Sequence, residues 1–524
     1  MKKKLLIFLL IIIIIIVAIL SIFFDKDIGT ITELITGEEK IASAELDMLM
    51  IEIDDFNPII SKNQYVHNVS DLIFESLINV NSQLKPEPEL SQNWTSDKEN
   101  TIWIIELEQG IKFHNGNEFT ADDVIFTINK IKEAGSGSIF YENIKSIDSM
   151  IANNKYKITI TLKNSDNFFI NKLSFPIISK NYYSSGLFNK IPIGTGKYKY
   201  ISGINSNNIV LDYNKEYRRN KSGNIDRINL KIVGKEILPF ERLKSGEIDI
   251  VDTKSEVGAM GRSIYESKKY TTSIFETLMF NVAVEGLNDK NVRQAILLGI
   301  NRDSLIEGYD KGAAATAELP INSESYLYNP NLQKYSYNPN QAQSILESAG
   351  WINNGAARTK KINENNINLS FTLLVNKDDM NSYEKATAIA NQLKSIGINL
   401  IVDAKDNREY QNAIETKNYQ VVFSRFSIAT YPEFLYYFGS KNLKNYWNFG
   451  NEEYDLLIAN TLRITDEEQI RQNVYRMQEI LNDEMIMAGM YFGVSTIYYD
   501  KALTGTLNSN LEDIYSGIEE MKKI

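Results

Sequence analysis

Cysteine is absent from the 524 residues, and histidine occurs only twice. Without cysteine there is no disulfide, no thiolate metal site, no cysteine nucleophile and no lipid on an amino-terminal thiol, while the redox compartment stays open. His67 and His114 lie far apart in the chain and His114 falls in a turn, so no histidine-rich metal site is expected. The Gly-x-Ser-x-Gly and His-Glu-x-x-His signatures of hydrolases are missing too. Basic excess is also lacking. Asp and Glu number 67 against 56 Lys and Arg, a formal net charge of −11, and no concentrated basic face appears outside the termini. That argues against a nucleic-acid partner, because phosphate binding needs clustered positive charge. The glycine-rich stretch at 191–199 fails as a phosphate loop, since Ile191, Tyr198 and Lys199 stand where a Walker or dinucleotide loop needs other residues.

What is present starts with length. A chain of 524 residues exceeds what one hydrophobic core usually supports, so at least two lobes are expected. Lys2, Lys3 and Lys4 precede an uncharged, nearly all-apolar run from Leu5 to Phe24. At about 1.5 Å per residue such a run crosses a bilayer core, with the lysines kept cytoplasmic. No small-residue cleavage site follows it closely, which favours a retained signal anchor over a cleaved signal, with 25–44 as a polar tether.

Beyond the tether, Leu46 to Ile53 reads as a strand ended by a turn at Asp54 to Pro58. The stretch Ile102 to Phe126 is the most structured in pattern. It predicts a strand, a tight turn at Gln109-Gly110, a second strand through Ile111 and Phe113, a break at Asn115-Gly116, and a helix opened by a Thr120/Asp123 capping box. Val69 to Ile78 has a helical repeat, and Tyr156 to Leu162 alternates as a strand. Leu369 to Val375, Ala386 to Ile396 and Gly397 to Val402 give strand, helix and strand at the lengths of a parallel βαβ unit. Ile486 to Tyr499 reads as a buried strand crossing between lobes.

The run Gly110-Ile111-Lys112-Phe113-His114-Asn115-Gly116, followed by Phe119-Thr120-Ala121-Asp122-Asp123-Val124, resembles the signature of the extracytoplasmic solute-binding proteins, family 5, that serve peptide, dipeptide and nickel ABC importers. Further segments resemble the family in order: the Gly194-Thr195-Gly196-Lys197-Tyr198 turn, with Lys197 in place of a usual Pro, then Leu243 to Ile250, Asn291 to Ile296 and Asn338 to Trp351. The resemblance implies an α/β, bilobed periplasmic-binding-protein-like fold of the larger kind with an inserted subdomain, preceded here by one transmembrane helix. The boundaries it implies are 45–78 and 191–276 for the first lobe, 79–190 for the insertion, 277–490 for the second lobe and 491–524 for a return to the first.

It also implies the site. In peptide-binding relatives, the segment resembling Tyr419 to Phe438 begins with a strand that ends in an aromatic, Phe426 here, and the first aspartate of the run that follows pairs with the peptide's amino terminus. Here that position falls on Ala429 or Thr430, and Glu433 is the nearest acid. Arg425 is a candidate for a ligand carboxylate through its planar fork, with a structural ion pair as the alternative. Phe426, Ser427, Thr430 and Tyr431 are candidates beside it. Trp447, as a flat wall or as core, Asn448 on its loop, and Phe56 with Asn57 at the first turn complete the set. The implied function is capture of a peptide or similar small solute, without cofactor or chemistry, for an ABC permease. A membrane-tethered sensor on the same fold is the alternative. The expected location is the cell membrane, anchored through residues 5–24 with the soluble part outside.

Overall fold

Two long strands, Tyr265–Phe280 and Met487–Asp500, run antiparallel along most of their length, from Tyr265 opposite Asp500 to Met279 opposite Met487. Both are rich in β-branched and aromatic residues, which suit a pleated, buried surface. In the first strand Glu266 to Lys269 are largely exposed and Thr271 to Ile274 only half-buried; in the second, burial falls at Gly493 and Val494, opposite the place where the register slips between Thr271 and Phe275. The slip is a β-bulge, which lets a strand bend and twist locally without losing its neighbours.

The computed structural model describes residues 43–51, 56–184, 191–203, 206–219, 221–234, 238–254, 264–355 and 357–524. The expected anchor at 5–24, the tether up to residue 42 and the aspartates of the first turn lie outside the described residues. Among the described residues no helix is long and apolar enough to cross a membrane.

The bulge divides a single eleven-stranded sheet. On one side, Ile274 to Phe280 pair with Val421–Ser427, which continues through Ser370–Asn376 to Asn399–Lys405. On the other, Thr496 to Tyr499 pair with Ile250–Thr253, which leads to Ala44–Ile51, Ile225–Val233, Asn208–Tyr213 and Tyr198–Ser202. The hydrophobic residues follow this division. One core draws on residues from Leu46 to Leu230 together with Ile497 and the segment Leu503 to Met521. Two others draw almost wholly on residues between Phe275 and Phe492. The strand pairing around helix Met380–Lys394 is parallel, as its spacing predicts.

A separate four-stranded antiparallel sheet holds Ser91–Ser96, Ile102–Leu107, Lys157–Leu162 and Ile147–Asn154. Beside it in sequence, helix Ala121–Ala134 begins at the capping box: the Thr120 amide donates to the Asp123 carboxylate at 2.9 Å. The second strand expected at Ile111 to Phe113 is reduced to one bridge, Lys112 with Glu118. The chain reverses at once there, with the Phe113 amide donating to the Asn117 carbonyl at 2.8 Å and Gly116 at φ 86°.

The helix expected from Val69 instead spans Gln64–Ile73, capped by Asn63. It stops at Phe74, which is extended, because the Gly194-Thr195-Gly196 turn packs against its end. The Gly196 amide donates to the Ile73 carbonyl at 2.9 Å, and a Cβ on Gly194 would sit 2.0 Å from that oxygen. The motif glycines therefore serve a close backbone approach.

Gly489 in the second long strand has a similar constraint, since a Cβ there would lie 2.2 Å from the Glu318 carbonyl oxygen. Gly489→Ala is expected to lower unfolding stability by about 1–3 kcal/mol, as overpacking of a filled interior does, read as a fall in the urea midpoint. An unchanged midpoint would mean that the strand crossing yields freely.

Candidate functional site

The residues at the bulge border a cavity of about 430 Å³. Its walls come from both sides of the sheet division: helix Gln64–Ile73, the segment around Asn171 to Pro176, the turn at Lys197, the loop after Ser427, and the segment Leu511 to Glu519. Ser273, within the bulge, lines it and receives the Ser427 hydroxyl at 3.2 Å.

Of the residues that the sequence singles out around the site, Ser427, Ala429, Thr430, Tyr431 and Glu433 line this cavity. The others lie elsewhere. Arg425 has its Nη1 2.7 Å from Asp379 and its Nε 3.2 Å from Glu276, which also holds the buried Lys385 at 2.9 Å; Lys385 in turn reaches Asp310 at 2.7 Å. The structural ion pair, the alternative for Arg425, is what the geometry shows. Trp447 is fully buried, packed 4.4 Å from Phe438 and 6.2 Å from Phe426 by ring centroids, so it serves as core. Phe426 stacks edge-on with Phe434 at 4.8 Å. Asn448 takes φ 57° and donates its Nδ2 to Asn281 at 2.9 Å. Phe56 and Asn57 are buried, and Asn57 Oδ1 accepts the Ile59 amide at 3.1 Å.

The electrostatics of the cavity come from residues with no separate sequence motif. Lys197 is buried, with its Nζ 2.9 Å from Glu519 and 4.0 Å from Asp513. Burial alone would lower its pKa, but Asp513 and Glu519 raise it to about 12, so it stays charged. Burial, with Asp513 and Glu89 adding, pushes Asp71 well above the carboxylate range. Burial and then Glu75 bring Glu89 up to about 7, against Arg219 and Arg218. Desolvation by the surrounding protein also raises Glu512, opposed by the hydroxyls of Thr430 and Ser174 that face its carboxylate. The Glu512 side chain keeps accessible area, so its rise is weaker than that of Asp71. Lys197 was visible in the sequence as a departure from the resembled turn; Asp71, Glu89 and Glu512 carried no signal, because long-range folding alone brings them to one wall.

A polar cavity walled from both sides of a divided sheet is the arrangement of a protein that binds solutes. The family model of the bacterial extracellular solute-binding proteins, family 5 Middle, matches residues 85–447, and the chain belongs to that family. It is similar to the oligopeptide-binding protein AppA of Bacillus subtilis, with 22% identity over 489 residues and 88% of each chain covered. Heme-binding protein A of Haemophilus influenzae is 23% identical over 438 residues, covering 75% of this chain and 76% of that one. Among solved structures, the unliganded open form of the periplasmic murein tripeptide-binding protein MppA shares the fold, with a TM-score of 0.79 at 20% identity over 92% of this chain and 98% of that one.

The raised pKa of Glu89 sets a pH dependence. The folded state holds that proton more tightly than the unfolded chain does, so the contribution to stability is complete below about 4.5 and is lost as pH rises through about 7. Glu89→Gln keeps a neutral side chain at every pH. Its melting temperature relative to the parent protein is expected to rise between pH 5 and pH 8, measured by scanning calorimetry; a constant difference would show that Glu89 titrates normally.

Proposed function

We propose that this protein captures a peptide or a comparably small solute in the cavity and closes around it by bending at the bulge of the two long strands. It then serves as the extracytoplasmic binding component of an ABC importer, without chemistry on the solute. The observation that carries this reading is the position of the cavity: its walls belong to both sides of the sheet division and the bulge residue Ser273 lies at its edge. Bending there changes the cavity while each core moves as a body, the hinge mode of domain closure.

Its volume falls in the range of small-molecule sites. Family membership supports the importer context, and AppA, an oligopeptide-binding protein, supports peptides as the solute class. Heme-binding protein A has a different ligand, so the family alone leaves the solute open. The apolar run at 5–24 would hold the protein at the outer face of the membrane, beside its permease.

Native mass spectrometry of the full-length chain, purified without denaturation, tests the reading. A ladder of co-purified peptide masses is expected. A single non-peptide mass would redirect the solute class, and a protein that stays empty after incubation with peptide mixtures would overturn solute capture of this kind.

A further inference from the structure

The cavity is lined by more acids than cations. Asp71, Glu89, Glu433, Glu512, Asp513 and Glu519 line it against two cations, Lys197 and Arg219. Both cations are taken: Lys197 by Glu519 at 2.9 Å, with Asp513 at 4.0 Å, and Arg219 by Glu89 at 3.6 Å. Glu433 receives the Tyr431 hydroxyl at 3.2 Å. Asp71 and Glu512 are left without a cation in ion-pair range among the described residues.

A second, independent feature lies at the same walls. Ser70, next to Asp71 on the helix, and Asn171, near the Ser174 that faces Glu512, line the cavity while only 4% and 3% exposed. The Ser70 hydroxyl and the Asn171 Nδ2 have no hydrogen-bond partner among the described residues. Buried polar atoms are normally satisfied, and those that are not point to a missing partner. Both residues line the same cavity as the two unpaired acids.

We propose, building on the reading of this cavity as the solute site, that the protein recognises its solute through a cationic nitrogen, an ammonium or guanidinium, held by the carboxylates of Asp71 and Glu512. A carbonyl or carboxylate oxygen of the same solute accepts the Asn171 Nδ2–H. Burial and like charges already penalise ionised Asp71 in the empty cavity, and an arriving cation removes that penalty. The Thr430 and Ser174 hydroxyls orient Glu512 and favour its charged form. The cation can be a peptide amino terminus, a lysine or arginine side chain, or a polyamine, which share this chemistry.

The full-length protein is incubated with three probes: a mixed peptide digest, the same digest with every amine acetylated, and spermidine. Retained species are read by mass spectrometry and their affinities by calorimetry, for the parent protein and for Asp71→Asn and Glu512→Gln. Retention of amine- or guanidinium-bearing species is expected, at least tenfold tighter than arginine-free acetylated peptides, with that preference lost in either variant and thermal melting unchanged or raised. Retention of acetylated peptides only when they contain arginine assigns the guanidinium as the source. Spermidine retained without any peptide ends the peptide reading and upholds this one. Arginine-free acetylated peptides bound as tightly as free ones overturn the cation site and leave peptide capture standing. Undiminished preference in both variants overturns the assignment to Asp71 and Glu512, and absence of all binding overturns both readings.

Discussion

The pairing of Tyr265–Phe280 with Met487–Asp500 is the constraint on which the rest of the structure depends. Two hydrophobic bodies joined by flexible linkers would move freely; joined by two hydrogen-bonded strands, they share a ladder that permits few directions of bending. The register slips in that ladder twice, between Thr271 and Phe275 and again between Glu276 and Thr277, and the longer slip is its softest place. Gly493 sits opposite it, where a Cβ would approach the Thr272 hydroxyl to 2.9 Å, so the tight crossing favours the smallest residue. Just beyond, Glu276 of the first strand is gripped by both Lys385 and Arg425. The buried half of that network is costly to break from one side, because a lone buried charge would remain. It ties the strand to helix Met380–Lys394 immediately next to the bend.

The cavity combines a fixed cation with an acidic wall. Lys197 is held on the tight turn that Gly194 and Gly196 make against the end of helix Gln64–Ile73, and the same helix carries Asp71. A local backbone contact thus sets the spacing between the cation and an acid. No acid stands at Ala429 or Thr430, yet Glu512 brings a carboxylate to Thr430 from a distant segment. Charge at this wall is a matter of where side chains converge, and the chain meets it with a residue that no local motif marks.

Features set by neighbours in sequence were legible before the structure. The Thr120/Asp123 cap, the turn at Asn115-Gly116, the parallel unit around Met380–Lys394 and the apolar crossing strand follow from spacing and periodicity. Features set by which side of an element faces what were not. Trp447 and Phe426 have the composition of a binding wall and the burial of a core, and an aromatic cluster reads the same in either place until packing partners are known. Arg425 was ambiguous for a related reason: its partners Asp379 and Glu276 come from other elements. The helix before the glycine turn was placed several residues late because its stop depends on Gly194 and Gly196, far along the chain.

The order in which the sheet's strands occur along the chain bears on how the protein comes to be. Met487–Asp500 is the inner neighbour of Tyr265–Phe280 and of Ile250–Thr253, yet it follows nearly every other strand in sequence. Until it arrives, the two halves of the sheet have no strand to join them, and Ile250–Thr253 lies open along one edge. Such an edge invites wrong partners, and pairings this distant in sequence are slow to form. A chain emerging from its amino terminus is therefore two incomplete bodies from the time the second begins to form, and its gravest exposure to aggregation falls in the interval before residue 487 is free to insert.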